Sequence, residues 1–289
     1  MLEAIWNYEF LQNAFISGII IGVIAPLLGV FIVVRRLSLI ADALSHVTLA
    51  GIAGSLYLSQ SVAAFALLNP IYLGIVASVG GSMLIERLRR LYKHYEELAI
   101  PIIMSGGLGI SAIFISLAAG FQTDLMSYLF GTVSAVSRQD MYVVIGVAVV
   151  VIVFLSLFFK ELFVLSFDEE YAKASGLPAR IVHMLFMVIV ALVIAASMRI
   201  VGILLVSSLI TLPVAAAMRL AKGFKQAIVL SIVFGEMAVL IGLVSAFYLD
   251  LQPGGTIVVT SIFILLIVIV VKKLNFTQKK KMNAIRSAE

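Results

Sequence analysis

An aspartate and a histidine stand four residues apart in the run Arg35-Arg36-Leu37-Ser38-Leu39-Ile40-Ala41-Asp42-Ala43-Leu44-Ser45-His46, with apolar sequence on both sides. On a helix, positions i and i+4 lie on one face, a turn apart. Ser38 and Ser45 fall on or beside that face, so the polar groups form a stripe. A carboxylate and an imidazole inside lipid are costly to keep, and such residues usually mark the path of an ion or a proton. Asp42 and His46 offer a cation one oxygen and one nitrogen. Two donors are too few for a tetrahedral or an octahedral ion, so water, another helix or a second copy of the chain must complete the shell. The blander alternative is a self-satisfied pair, Asp42 accepting from the His46 ring and pinning helices together. As a ligand, Asp42 binds as carboxylate and His46 as neutral imidazole, so acid that protonates the ring is expected to weaken binding.

Glu236 is the other deep charge, about ten residues into an apolar segment. It can be a further ligand, a proton acceptor, or a protonated side chain bonded to a neighbouring helix. His94 sits among charges in a loop and reads as solvated. His183, at a helix end, reads as structural.

These residues need a membrane to make sense of them, and the composition supplies one. The 289 residues are 63% hydrophobic and 12% charged, against roughly 25% charged in a soluble domain. Nine apolar segments are expected, at about 10–34, 37–59, 62–85, 99–119, 141–159, 181–198, 201–218, 226–247 and 255–271. The fold class is therefore an all-α polytopic membrane protein of about nine transmembrane helices, in a single transmembrane domain over 1–289. The pair 181–198 and 201–218, joined by a tight turn at Met198-Arg199, is either two crossings or one re-entrant hairpin, which would leave eight full spans.

With the N-terminus outside and the C-terminus inside, 18 of the 20 basic residues fall inside and only Arg138 and Arg199 outside. That satisfies the positive-inside rule. It places Asp42 roughly 8 Å and His46 roughly 14 Å from the inner end of their helix, the histidine near the middle of a core about 30 Å thick. Asp124, Asp140 and Asp250 fall outside with Glu3 and Glu9, a mildly acidic face that attracts cations within about 10 Å.

No cleavable signal is expected: no Lys or Arg opens the chain and no small-residue cleavage site follows a short apolar core. The segment Met1–Glu9 reads as an interfacial helix anchored by Trp6 and Tyr8. The basic tail 272–289, with Lys279-Lys280-Lys281, reads as a solvated end facing lipid headgroups. Small residues at four-residue spacing (Gly18 and Gly22, Ala25 and Gly29, Ala77 and Gly81) predict closely packed helices. The absence of cysteine excludes disulfides and thiolate metal sites. A net charge of +5 spread over helix ends is no nucleic-acid signal. The chain has neither a GxxxxGK[ST] run nor an arginine ladder, so nucleotide is not bound through a P-loop here.

The inner loop Asp168-Glu169-Glu170-Tyr171-Ala172-Lys173-Ala174-Ser175-Gly176-Leu177-Pro178 differs in kind. Acidic residues open a short helix and Gly176 and Pro178 close it. It is acidic on a basic face, which suits either a plain connector or a docking helix for a cytoplasmic partner.

From about residue 10 to 272 the chain resembles the membrane permeases of bacterial ABC importers for zinc, manganese or iron, most of all the Gram-positive zinc-uptake permeases. The resemblance is carried in order by Val34-Arg35-Arg36 through Asp42-Ala43-Leu44-Ser45-His46 to Gly51, and by Glu96-Glu97-Leu98-Ala99-Ile100. It continues with Tyr128-Leu129-Phe130-Gly131, the loop Asp168–Gly176, Val201-Gly202-Ile203-Leu204-Leu205 with Pro213 and Ala216-Ala217, and Leu249-Asp250-Leu251-Gln252-Pro253-Gly254-Gly255. Pro101 departs from the pattern, standing where glycine is frequent.

The resemblance implies a homodimer in the bacterial plasma membrane with two copies of a separate ATPase, and a surface-tethered or periplasmic metal-binding protein that delivers the ion. It implies that Asp42 and His46 form the metal site and that the loop 168–178, with Asp168, Glu169, Glu170, Ala174 and Gly176, couples to the ATPase. Zn2+ is then the expected cargo, bound only in transit, with manganese or iron as alternatives. The chain itself would be no enzyme. A different class, an ATP-independent proton-coupled carrier with Asp42, His46 and Glu236 as the relay, is the competing expectation.

Overall fold

Capping residues and glycines set where the helices begin and end. A computed structural model describes residues 8–61, 68–92, 94–117, 122–134 and 136–286. Among them run α1 (Glu9–Val34), α2 (Ser38–Ser61), α3 (Pro70–Leu91), α4 (Ala99–Leu117), α5 (Gln122–Phe130), α6 (Arg138–Phe167), α7 (Glu169–Ala174), α8 (Ala179–Val201), α9 (Ile203–Leu220), α10 (Phe224–Leu249) and α11 (Pro253–Arg286). A 3-10 turn, Glu96–Leu98, precedes α4, and no strand occurs among the described residues.

Among the described residues eight helices are long and apolar enough to cross a membrane, and α9 contains a shorter apolar helix, Leu205–Leu220. That is the all-α polytopic fold expected. Trp6 and the rest of Met1–Asn7 lie outside the described residues, so of the expected interfacial segment only Tyr8 and Glu9 are placed, at the start of α1.

Several boundaries differ from expectation: α11 runs on through the basic tail to Arg286, and three other differences have a local reason. The third span starts at Pro70, where the Asn69 side chain accepts from the Ile71 N–H and proline takes the first helical position. The fifth runs over Arg138–Phe167 rather than 141–159, because Ser137 and Asp140 form a capping box. The hairpin turn lies at Gly202, not at Met198-Arg199. Gly202 has φ +82, a conformation that side chains resist, and Arg199 stays in the last turn of α8. The short α5 was not anticipated. Pro101 falls in the first turn of α4, where a missing N–H costs no intrahelical bond.

Helices α1, α2 and α8 form the centre, buried over 67%, 72% and 72% of their apolar stretches, while α4 is buried over only 22%. Outward faces stay apolar, as with Val149, Ile152 and Val153 on α6 and Phe263 and Ile267 on α11, because lipid is the solvent there. The small-residue pairs pack as expected. A Cβ on Gly18 would meet Leu243 of α10, one on Gly29 would lie 2.0 Å from the Ile210 carbonyl oxygen of α9, and one on Gly81 would meet Val47 of α2.

An aromatic cluster occupies the end where the basic residues gather. Phe224 packs against Phe31 at 5.2 Å, Phe163 at 5.1 Å and Phe167 at 5.7 Å between ring centroids, and Phe31 packs against Phe159 and Phe186. One residue before Phe159, Phe158 (φ −112, ψ 17) leaves the helical range and kinks α6.

At the opposite end three distant segments touch backbone to backbone. A Cβ on Gly202 would lie 2.5 Å from the Leu129 oxygen, one on Gly131 2.2 Å from the Ile200 oxygen, and one on Gly254 1.9 Å from the Val201 oxygen. Thr132 N–H donates to Arg199 O. Beside this knot Asp140 is 2% exposed. It accepts from Arg199 at 3.0 Å and from Asn69 at 3.0 Å, and Arg199 also donates to the Tyr128 hydroxyl at 2.7 Å. Arg138 pairs with Glu9 at the same end.

Candidate functional site

The site is positioned by the turn between α1 and α2. Arg36 takes φ +58, and the Arg36 and Leu37 N–H groups donate to the carbonyls of Val33 (3.0 Å) and Ile32 (2.9 Å). This paired pattern closes α1 and reverses the chain within three residues. It turns Arg36 outward and Arg35 inward, where Arg35 lies over the Phe186 ring at 5.7 Å. Helix α2 starts at once and brings Asp42 one turn in from Ser38.

Asp42 is half-buried. It lines a cavity of about 330 Å3 with Ser38, Ser207, Ser208, Thr211, Val33, Leu39 and Ala215. Every polar atom facing that space belongs to a carboxylate, a hydroxyl or the backbone. His46 is also half-buried, one turn farther along α2, and does not line the same cavity. Its Nδ1 is buried with no hydrogen-bond partner among the described residues. Helix α4 presses on it: a Cβ on Gly107 would lie 2.9 Å from the His46 carbonyl carbon. No hydrogen bond joins Asp42 to His46, so the pair does not satisfy itself. No group of three or more His, Asp or Glu side chains with metal-binding geometry occurs among the described residues.

Glu236 lies elsewhere. Its Oε1 is buried without a partner and faces Gly22 of α1, whose absent Cβ would fall 2.7 Å from it. It lines no part of the Asp42 cavity. Its protonation partner on a neighbouring helix is likewise absent among the described residues.

The acidic loop forms α7. Asp168 caps it by accepting from the Tyr171 N–H at 2.8 Å, and Gly176 ends it at φ +81. Ala172 is buried and anchors the helix, while Asp168, Glu169, Glu170, Tyr171, Lys173, Ala174 and Gly176 are exposed. The bond from Lys173 (2.9 Å) holds the Glu169 carboxyl below its usual range, and Arg35 adds to this. Burial in turn lowers the Arg35 guanidinium from its ordinary value, with Glu169 opposing. Arg35, Arg36, Arg89 and Glu169 line one cavity of about 240 Å3.

His94 is exposed. His183 is at the centre of a structural network, as expected of a helix end. Its Nδ1 lies 2.7 Å from the Arg35 guanidinium, and its Nε2 lies 3.1 Å from the Arg89 guanidinium and 3.3 Å from the Glu86 carboxylate. Arg89 lies beside the ring and donates to Glu96 at 2.8 Å. A cleft of about 390 Å3 opens onto these groups and onto Glu169 and Lys173.

The family model described as the ABC 3 transport family matches residues 7–272. The chain belongs to that family. As an ABC-3 protein it is a multi-pass permease of bacterial metal transport, not an enzyme. It is 35% identical, over 91% of its length and 96% of the relative's, to a Treponema pallidum protein named "Probable metal transport system membrane protein". It is 35% identical, over 92% of each chain, to the manganese import system permease protein ScaB of Streptococcus gordonii. Its fold superposes on a chain of the solved PsaBC complex of Streptococcus pneumoniae with bound Fab at a TM-score of 0.80, with 34% identity over 92% of this chain and 93% of that one. Three of the motifs that suggested the family meet in space: Phe130-Gly131, Val201-Gly202 and Pro253-Gly254 make the glycine knot.

The hydroxyls of Ser207, Ser208 and Thr211 were not anticipated. Their spacing (i, i+1, i+4) marks one polar face on an apolar helix, a signal present in the sequence but common to many membrane helices.

Proposed function

We propose that this ABC-3 permease carries Mn2+ into the cell, driven by ATP hydrolysis on a partner chain. The observation that carries this reading is the Asp42 carboxylate facing an oxygen-lined cavity inside the bundle. Carboxylates and other oxygen donors suit manganese, whereas imidazole suits zinc, copper, iron and nickel. The streptococcal relative named for its cargo is named for manganese. Both considerations turn the expectation from zinc to manganese. His46, with its unpartnered ring nitrogen, is the second ligand, and zinc and iron are the competing cargoes. Membership of an ABC family displaces the proton-coupled carrier, and with it the relay role for Glu236.

In this reading two copies of the chain work with two ATPase copies, and an extracellular metal-binding protein delivers the ion. The exposed face of α7, with Asp168, Glu169, Glu170, Ala174 and Gly176, meets the ATPase. From there the route inward is short. Glu169 faces Arg35, Arg35 sits in the turn that launches α2, and Asp42 lies on the second turn of that helix. A shift of α7 by the ATPase thus acts on the electrostatics and the angle of the helix holding the ion, and so opens the path to one side or the other.

The test is uptake of radiolabelled Mn2+ in cells lacking other importers, with the partner subunits present. Asp42→Ala and His46→Ala are expected to assemble normally and to take up manganese at background level. Normal uptake by both variants would sink the assignment.

A further inference from the structure

Many helical serines and threonines in this chain donate to the carbonyl one turn back: Ser45 to Ala41 at 2.8 Å, Thr48 to Leu44 at 2.6 Å, Ser197 to Val193 at 2.7 Å, Ser231 to Ala227 at 2.6 Å. That bond satisfies a hydroxyl in lipid without a partner helix. Ser207 and Ser208 lack that bond, as do Ser17 and Ser55, but where the hydroxyls of those two are sealed among apolar groups the α9 pair opens onto a cavity. Neither hydroxyl makes a hydrogen bond among the described residues, and neither is sealed off from the adjoining space. Both line the cavity into which Asp42 looks, from the facing helix α9. Thr211, beside them, does donate backward, to Ser207 O at 2.9 Å, which leaves its oxygen lone pairs free.

Two unengaged hydroxyls opposite a carboxylate at membrane depth form an acceptor set. The Asp42 carboxylate repels an anion. A cation, or the hydrogens of the waters it carries, matches all of these oxygens at once. An oxygen-preferring ion of octahedral habit needs more such donors than Asp42 and His46 supply, whereas zinc is content with four ligands and accepts nitrogen readily.

We propose that Ser207 and Ser208 are the oxygen half of the cargo site, holding the ion and its remaining waters opposite Asp42 and setting a preference for manganese over zinc. This rests on the reading of Asp42 as a cargo ligand.

The experiment measures concentration-dependent uptake of radiolabelled Mn2+ and Zn2+ by the full transporter in cells without other importers. The variants are Ser207→Ala/Ser208→Ala, Ser207→Cys/Ser208→Cys and Asp42→Ala, each checked for assembly with its partners. The alanine pair is expected to raise the half-saturating Mn2+ concentration about tenfold, the effect of one lost polar contact, and that for Zn2+ less than about threefold. The cysteine pair keeps the volume but exchanges oxygen for sulphur, so it should lose manganese uptake and gain zinc uptake. Equal shifts for both metals in the alanine pair, with no gain of zinc in the cysteine pair, would show a packing role and overturn the proposal. Unchanged uptake in both serine variants while Asp42→Ala is dead overturns it and leaves the Asp42 reading intact. Normal uptake by Asp42→Ala overturns both.

Discussion

At the glycine end, segments from α5, the α8–α9 hairpin and α11 touch with no side chain between them. At the basic end, α7, the α1–α2 turn, α3 and α8 are joined by long charged side chains around cavities of about 390 and 240 Å3. The contrast is one of slack. Backbone in van der Waals contact has nowhere to go, since close-packed interfaces switch rather than deform. Ion pairs between flexible side chains can lengthen or change partners for little energy. One end of the bundle is therefore a fixed joint, and the other can be rearranged by whatever binds there.

The sharpest way to break that comparison is to put a methyl group into the joint. Gly254→Ala places a Cβ 1.9 Å from the Val201 oxygen and 2.6 Å from the Phe130 oxygen. Displacing three backbone segments is expected to cost more than about 4 kcal/mol and to abolish the assembled protein. Gly255→Ala, next door with open space around it, should change thermal stability in detergent by less than about 0.5 kcal/mol. Comparable losses in the two variants would dissolve the idea of a fixed joint.

Next in size is Asp140→Ala. It leaves the Arg199 guanidinium facing a site that is 2% exposed and strips Asn69 of its acceptor. About 3 kcal/mol of stability should be lost, read as a lower melting temperature.

At the basic end the same kind of change should act on function first. Arg35→Ala removes the bond to His183 and the charge facing Glu169. A stability loss of about 1 kcal/mol is expected, with the complex still assembled and still hydrolysing ATP. Metal uptake per ATP should fall several-fold. A fall in uptake no greater than the loss of assembled protein would remove Arg35 from the coupling route.

The smallest effect belongs to Lys173→Ala. The Glu169–Lys173 pair is exposed, 52% and 61% for its side chains, so its removal should cost less than about 0.5 kcal/mol. Glu169 titrates below its ordinary value because of this pair. The contribution is therefore complete above the ordinary carboxylate range and vanishes as pH falls through the lowered value. Melting curves between neutral pH and pH 3 should converge for the parent and the variant.

Much of this contrast was open to a reader of the sequence, though unevenly. The basic end is written in charge: 18 of 20 basic residues fall on one side of the expected crossings, and the structure gathers Arg35, Arg89 and Lys173 there. Asp42 and His46 stood out because charge in an apolar run needs a reason. The glycine end was present only as motifs. Gly131, Gly202 and Gly254 are separated by long stretches of chain, and nothing local says that they touch. The hairpin turn, expected at Met198-Arg199, lies at Gly202. A buried carboxylate, Asp140, is what keeps that arginine inside the bundle. The serines of α9 carry no distinguishing local signal, since a helical hydroxyl that bonds its own backbone and one that faces a cavity are the same letter.

The break at Phe158 gives the inner part of α6 a lever's geometry. Ten residues separate Phe158 from Asp168, an arm of about 15 Å, and α7 is fixed to its tip. A swing of about 10° around the break carries that tip through about 2.5 Å, roughly the travel that separates alternative packings of neighbouring helices. The rings of Phe159, Phe163 and Phe167 ride on the arm and bear on Phe224 and Phe31, surfaces that slide without breaking any directional bond. The gearing is thus set by where along α6 the break falls: moved outward by one turn, the same angle would yield a third more displacement at the end that carries α7.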